Sequence, residues 1–145
     1  MVSLDQVKET NSTLKAYGPG LVGVFVGGTS GIGEATARSF VRHATTPRVY
    51  LIGRNEDQAT KIIRELHALN PESKTTFLNC DVSLLRKVGA VCKEIQEKEG
   101  KINVLVLTSG VMTSEGRVET EEGLDKKFIA SLCPDEVHLQ SSPAA

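Results

Sequence analysis

The sequence predicts an α/β fold built on a doubly wound parallel sheet with helices on both faces. Short apolar runs recur along the chain and alternate with stretches whose apolar residues repeat at helical spacing. Turn-forming glycine, proline and asparagine residues separate the two kinds of segment. Strands that are apolar throughout are typical of a sheet covered on both faces, and the alternation is typical of βαβ units. Right-handed crossovers then predict the strand order 3-2-1-4.

Four strands are predicted, at residues 21–26, 49–52, 75–78 and 102–107. A helix pattern follows each of the first three strands. In the second of these helices Asn55 is the predicted cap, with Gln58 three positions later in the capping-box position. In the third, Ser83 is the predicted cap and Gly100 ends the helix. A further helix is predicted to begin at Gly123, with Thr120 as its cap.

Composition excludes several classes of function. The net charge is −1, from 17 basic and 18 acidic residues, so no electrostatic footprint for nucleic acid or an anionic membrane is present. No apolar run is long enough to span a bilayer, and the N-terminus lacks the apolar stretch of a signal peptide. The three cysteines are widely spaced and predict free thiols, and no metal-ligand spacing occurs. We therefore expect a cytoplasmic protein without a metal site.

A glycine-rich turn lies between the first strand and the first helix. Glycine lets the backbone approach a pyrophosphate closely, and the N–H groups at the helix start face the anion. Hydroxyl groups in the turn add donors. A tight turn with a purely structural role is the alternative interpretation, but the strand–helix junction favours dinucleotide binding. The predicted cofactor-binding residues here are Gly27, Thr29, Ser30, Gly31, Ile32 and Gly33.

The spacing of Gly27, Gly31 and Gly33 resembles that of the short-chain dehydrogenase/reductase family, whose members are Rossmann-fold NAD(P) oxidoreductases. The resemblance runs from about Leu21 to about Phe128. It implies that the acidic residue of Asp81-Val82 contacts the adenine amino group of a cofactor. It also implies that the segment containing Ser109 and Gly110 lies beside the adenosine ribose, where the family usually has Asn-Asn-Ala-Gly.

The end of the second strand predicts the choice of cofactor. An acidic residue there would hydrogen-bond the ribose 2′-hydroxyl of NAD and repel the 2′-phosphate of NADP. This chain has Gly53, Arg54 and Asn55 instead. The Arg54 guanidinium suits a phosphate, and Asn55 adds a donor, so NADP(H) is the predicted cofactor. A solvated surface arginine is the alternative.

The resemblance also implies a catalytic Tyr-x-x-x-Lys and serine, which this chain lacks. Its two tyrosines are Tyr17 and Tyr50, and Arg54 stands four residues after the second. No catalytic residue is therefore predicted. We expect a chain shortened relative to the family, through a truncated gene, an alternative splice or a wrongly assigned reading frame.

Three interpretations remain open. The chain is an NADP-dependent oxidoreductase acting on a small-molecule substrate, or a catalytically incompetent NADP-binding fragment of one, or an α/β interaction module whose glycine turn is only structural. The predicted organisation is an N-terminal arm or short helix at 1–20, a Rossmann half-domain at 21–128 and an irregular tail at 129–145. The fourth strand is apolar at five of six positions and predicts self-association through its open edge.

Overall fold

A four-stranded parallel sheet forms the centre of the protein in the computed structural model, which describes residues 2–110, 114 and 116–126. The strands are β1 (Val22–Val26), β2 (Arg48–Gly53), β3 (Lys74–Asn79) and β4 (Val104–Leu107). They lie in the order β3-β2-β1-β4, and each neighbouring pair is parallel. This order confirms the predicted doubly wound α/β fold.

The helices of the described region are α1 (Leu4–Ser12), α2 (Gly31–His43), α3 (Glu56–Leu69) and α4 (Leu85–Lys98). The first begins with a capping box between Ser3 and Gln6, buries none of its residues and leads into a short 3-10 helix at Thr13–Tyr17. The cap predicted for α3 is confirmed, because Asn55 Oδ1 accepts a 2.9 Å hydrogen bond from the N–H of Gln58.

Two apolar cores cover the two faces of the sheet. All five residues of β1 are buried, which explains its continuous apolar sequence. On the face covered by α2 and α3, Phe25 packs against Phe40 with ring centroids 5.7 Å apart. The core on the α4 face includes Val22, Val24, Val26, Ile52, Cys80 and Ile95. The side chains of β1 alternate between these cores, with Phe25 in the first and Val22, Val24 and Val26 in the second, as expected for a strand covered on both faces.

The α4 face is the less completely filled of the two. In α4 only Ile95 is buried, and all four residues of β4 are half-buried. An apolar groove remains beside β4, lined among others by Val24, Val88, Val91, Cys92, Leu105 and Leu107. Within the described residues β4 pairs with β1 alone, so β4 is an edge strand as the predicted order requires.

The predicted cap of α4 is wrong. The helix begins at Leu85, and the Ser83 hydroxyl donates to Asp81 Oδ1 at 2.7 Å instead of capping the helix. The cap comes from a distant residue: Glu122 Oε2 accepts from the N–H of Leu85 at 2.7 Å. A carboxylate at this position is favoured by the free N–H groups and the dipole of the helix.

Two boundaries beyond α4 also differ from prediction. The pairing of β4 with β1 begins at Val104. At the preceding residue, Asn103, the side-chain Oδ1 accepts a hydrogen bond from the N–H of Val22 at 2.9 Å. The helix predicted from Gly123 is wrong over its first residues, where Thr120 Oγ1 instead accepts from the N–H groups of Glu122 and Leu124 in a turn. Its continuation through Phe128, and the predicted tail at 129–145, lie outside the described residues.

Candidate functional site

An open cleft of about 430 Å³ lies where the four strands end. It lies among the residues that follow β1, β2, β3 and β4, at the carboxyl edge of the sheet. In an open α/β sheet this edge is where ligands bind, and the volume is in the range of small-molecule pockets. All but two of the predicted site residues line it: Gly27, Thr29, Ser30, Gly31, Ile32, Arg54, Asp81, Val82, Ser109 and Gly110.

The glycine turn is packed too closely for side chains at three positions, one of them Gly28, where a Cβ would lie 2.9 Å from the carbonyl oxygen of Phe25. Gly27 has φ +79°, and a Cβ there would lie 2.9 Å from the N of Ser109. Gly33 does not line the cleft; it lies beneath the turn, where a Cβ would lie 2.5 Å from the carbonyl oxygen of Gly27 and from Thr108 Oγ1. The first turn of α2 therefore sits directly against the end of β1. This contact brings the N–H groups of the helix to the floor of the cleft.

The start of α2 offers both polar and apolar contacts to the cleft. Ser30 is the N-cap residue, yet its exposed hydroxyl makes no capping hydrogen bond and so can bind a ligand. Ile32 is 76% exposed, an unusual position for a large aliphatic side chain in the first turn of a helix. The Ser30 hydroxyl can donate a hydrogen bond to an anionic group of a ligand, and the Ile32 side chain can pack against an apolar ring next to that group.

Asp81 lies on the wall of the cleft that follows β3. Its Oδ1 accepts hydrogen bonds from the hydroxyl of Ser83 at 2.7 Å and from the N–H of Ser83 at 3.0 Å. The Ser83 hydroxyl is the main cause that lowers the pKa of Asp81, and the nearby Arg54 charge acts in the same direction. The carboxylate is therefore ionised at neutral pH and held in one orientation.

Arg54 and Asn55 have different environments. Arg54 is exposed on the cleft, directly after β2, and Gly53 before it touches Thr29, since a Cβ at Gly53 would lie 2.9 Å from Thr29 Oγ1. Asn55 stands outside the cleft lining, and its side-chain oxygen caps α3. The end of β2 thus places an arginine, Arg54, at the cleft, and the residue before it, Gly53, has no carboxylate.

Three of the lining residues that were not among the predicted site residues carry a hydroxyl or an ammonium group: Ser83, Thr108 and Lys126. Thr108 ties the end of β4 to the end of β1 and the start of the glycine turn, because its hydroxyl donates to the carbonyl of Val26 at 3.1 Å and lies 3.4 Å from that of Gly27. Ser83 holds Asp81 as described above. Lys126 lines the cleft from the segment after β4, and nothing in the sequence pattern signals that position. The Thr-Ser-Gly run after β4 was the one signal that could have indicated Thr108.

No group of three or more potential metal ligands occurs among residues 2–110, 114 and 116–126. None of the helices in that part of the chain is long and apolar enough to cross a membrane.

The strand order and the cleft at the carboxyl edge define a Rossmann-like α/β protein. The sequence pattern of the family described as short chain dehydrogenase matches residues 22–132. The chain belongs to this family of oxidoreductases.

Individual relatives agree with this assignment. The chain is 44% identical over 128 residues to Oxidoreductase AN1596 of Emericella nidulans, covering 88% of this chain and 38% of that protein. A metagenomic short-chain oxidoreductase solved in complex with NADP has a TM-score of 0.62 at 25% identity, covering 79% of this chain and 49% of that one. L-Sorbose reductase from Gluconobacter frateurii, solved with NADPH and L-sorbose, shares the fold, with a TM-score of 0.60 at 24% identity over 79% of this chain and 41% of that one. The chain spans 38% of the length of Oxidoreductase AN1596 and of two further curated relatives that it matches.

Proposed function

We propose that this chain is the cofactor-binding part, at residues 21–128, of an NADP(H)-dependent oxidoreductase that interconverts carbonyl and alcohol groups of a small-molecule substrate. The observation that carries the proposal is Arg54, exposed on the same cleft as the glycine turn. Relatives support it: the metagenomic short-chain oxidoreductase and L-sorbose reductase were solved with NADP and NADPH. When bound, the cofactor supplies or accepts the hydride, and the chain supplies binding and orientation.

The close packing of the glycine turn fits a pyrophosphate. No side chain fits at Gly27 or Gly33, where a Cβ would lie 2.9 Å and 2.5 Å from backbone atoms, so the start of α2 packs directly on the end of β1, and Ser30 and Gly31 line the cleft. We assign the pyrophosphate to this turn and the exposed apolar side chain of Ile32 to a ring of the cofactor.

The adenosine half fits the opposite wall. The ionised and oriented carboxylate of Asp81 can accept a hydrogen bond from the adenine amino group, with Val82 beside it. Ser109 and Gly110 line the cleft where the ribose would lie. Arg54 can pair with the 2′-phosphate through two N–H groups, and Gly53 offers no carboxylate to repel it.

A second candidate function is cofactor binding without turnover by these 145 residues alone. Reduction of a carbonyl needs a proton donor of matched pKa. Tyr17 precedes β1, and Tyr50 donates to Glu99 at 2.8 Å; neither lines the cleft. The chain contains no Tyr-x-x-x-Lys. We therefore propose that catalysis by the whole protein depends on residues outside this sequence.

The apolar groove beside β4 supports one further proposal about the isolated chain. The strand has no charged or proline residue, its residues are half-buried, and the groove is lined by aliphatic side chains and a cysteine. An edge of this kind pairs readily with another strand. We propose that the chain studied alone self-associates through β4.

The test of the proposed function is titration calorimetry of the 145-residue chain with NADPH and with NADH. We expect NADPH to bind about tenfold to a hundredfold more tightly, because a charge-assisted contact to the 2′-phosphate contributes about 1.5–3 kcal/mol. Equal affinity for both cofactors would contradict the proposed preference. Binding of neither would overturn the proposed function.

A further inference from the structure

The segment after β4 forms an ordered turn that reaches the cleft. Thr120 is buried, and its N–H donates to the carbonyl of Leu124 at 2.7 Å. The N–H of Gly123 donates back to the carbonyl of Thr120 at 2.9 Å, and that of Lys126 to the carbonyl of Val118 at 2.9 Å. These bonds fix the backbone on either side of the turn. We call residues 118–126 the post-β4 turn.

Glu122 attaches the post-β4 turn to the wall of the cleft. Its two carboxylate oxygens accept from the N–H groups of Leu85 at 2.7 Å and of Arg86 at 3.2 Å. The Glu122 side chain is 17% exposed, so this contact is partly shielded from water. Because α4 follows Asp81 after three residues, the clamp joins the post-β4 turn to the segment that carries the candidate adenine contact.

Lys126 projects from this clamped turn to the cleft. Its side chain is exposed and lines the cleft together with Arg54. Within the part of the chain that the structure describes, no carboxylate lies within 4.0 Å of its ammonium group. A mobile ammonium on a four-carbon stem without an acidic partner in the described structure is suited to a phosphate that arrives with a ligand.

We infer that Lys126 is a second cationic ligand of the cofactor phosphates, and that Glu122 is the positioning residue that holds it at the cleft. This inference rests on the proposed NADP(H) function. In the proposed function the start of α2 would hold the pyrophosphate and Arg54 the adenosine end, and Lys126 lines the same cleft from the post-β4 turn. The group that Lys126 would contact is a phosphate of the cofactor, either the 2′-phosphate or the pyrophosphate.

The first experiment compares Lys126→Met with Lys101→Met. Lys101 is exposed and lies three residues before β4, beyond the end of the strand that is opposite the cleft, so this variant matches the change in charge. We expect Lys126→Met to weaken NADPH binding about threefold to tenfold and to reduce its salt dependence, and Lys101→Met to change neither. A loss confined to NADPH assigns the contact to the 2′-phosphate, whereas an equal loss with NADH assigns it to the pyrophosphate. Unchanged NADPH binding by Lys126→Met would overturn the inference.

The second experiment separates positioning from a general effect on folding. We expect Glu122→Gln to weaken NADPH binding severalfold in the wild-type background but not in the Lys126→Met background, because the clamp acts through that lysine. Glu121→Gln is the matched control, since Glu121 pairs with Arg86 on the surface and does not cap α4. The unfolding midpoint in urea is recorded for each variant. An equal loss of affinity in both backgrounds would refute the positioning role.

The binding measurements distinguish the inference about Lys126 from the proposed NADP(H) function on which it rests. If the wild-type chain binds NADPH and Lys126→Met binds it equally well, the inference fails and the proposed function stands. If the wild-type chain binds neither NADPH nor NADH, both fail.

Discussion

The hydroxyl of Tyr50 donates a 2.8 Å hydrogen bond to the Oε1 of Glu99, joining the second strand to the C-cap of α4. The other carboxylate oxygen forms an ion pair with Arg48, 2.7 Å from its Nη2. The Glu99 side chain is 4% exposed. The contact fixes the end of α4 remote from the cleft, while Glu122 fixes the near end.

Stability should fall in alkali because of Tyr50. Burial, followed by the hydrogen bond to Glu99, raises the pKa of Tyr50 to about 12. A phenol whose pKa is raised on folding stabilises the native state fully below its unfolded pKa of about 10, and this contribution is lost between about pH 10 and 12. The loss should be about 2–3 kcal/mol, measured as the difference in free energy of unfolding between the wild type and Tyr50→Phe across that range.

The titration can be observed directly. The chain has two tyrosines and no tryptophan, so phenolate absorbance in a Tyr17→Phe background reports Tyr50 alone. We expect a midpoint near 12 in the folded protein and near 10 in denaturant. A folded-state midpoint near 10 would show that the hydroxyl is not held by Glu99.

Substitution of Gly33 should destabilise the glycine turn. In Gly33→Ala the new Cβ would lie 2.5 Å from the Gly27 oxygen, so the helix must move away from β1. Overpacking of this kind costs about 1–3 kcal/mol of unfolding free energy and should also weaken NADPH binding. Gly89→Ala is the control: its Cβ meets nothing within 4 Å inside α4, and it should stabilise by about 0.5–1 kcal/mol. Equal effects of the two substitutions in urea unfolding would contradict the close packing of the turn.

The preference for NADPH should depend on Arg54. In Arg54→Asp the new carboxylate would repel the 2′-phosphate and accept a hydrogen bond from the 2′-hydroxyl of NADH. We expect titration calorimetry of this variant to give equal dissociation constants for NADPH and NADH, or a smaller one for NADH. Arg64→Asp, which makes the same change in charge at an exposed position on α3, should preserve the preference for NADPH. A preference that survives in Arg54→Asp would assign selectivity to another group.

The 145-residue chain should not reduce carbonyl compounds. No tyrosine lines the cleft, so an alkoxide formed there would lack the proton donor that the reaction requires. The assay is oxidation of NADPH with a panel of ketones, compared with the rate in buffer. Oxidation above that rate, abolished when Gly31→Trp fills the cleft, would contradict this expectation and make Ser109 the first residue to substitute.

Self-association of the isolated chain should depend on concentration. We expect size-exclusion chromatography with light scattering to show a mass that rises with concentration, because β4 is a half-buried edge strand beside an apolar groove in the described part of the chain. Leu105→Lys places a charge in the groove and should reduce the association. A monomer that persists at high micromolar concentration would contradict the proposal.

The sequence predicted well those features that local pattern controls. The cap at Asn55 was predicted because a side-chain oxygen and an N–H three residues later meet within one helical turn. The sequence predicted the wrong cap for α4, because the predicted residue, Ser83, forms its hydrogen bond elsewhere and the actual cap, Glu122, lies far from the helix along the chain. The Ser83 hydroxyl finds Asp81 two residues away, and only packing of the post-β4 turn brings Glu122 to the helix.

The sequence by itself determined the parallel sheet, its strand order and the cleft at its carboxyl edge. Apolar periodicity and a glycine turn at a strand–helix junction express these features within short stretches of chain. Only the tertiary structure decided which side chains complete the cleft. Thr108 reaches the glycine turn, and Lys126 reaches the cleft, through contacts between segments far apart in sequence. Such contacts depend on how helices and turns pack, and no periodic pattern in the sequence encodes that arrangement.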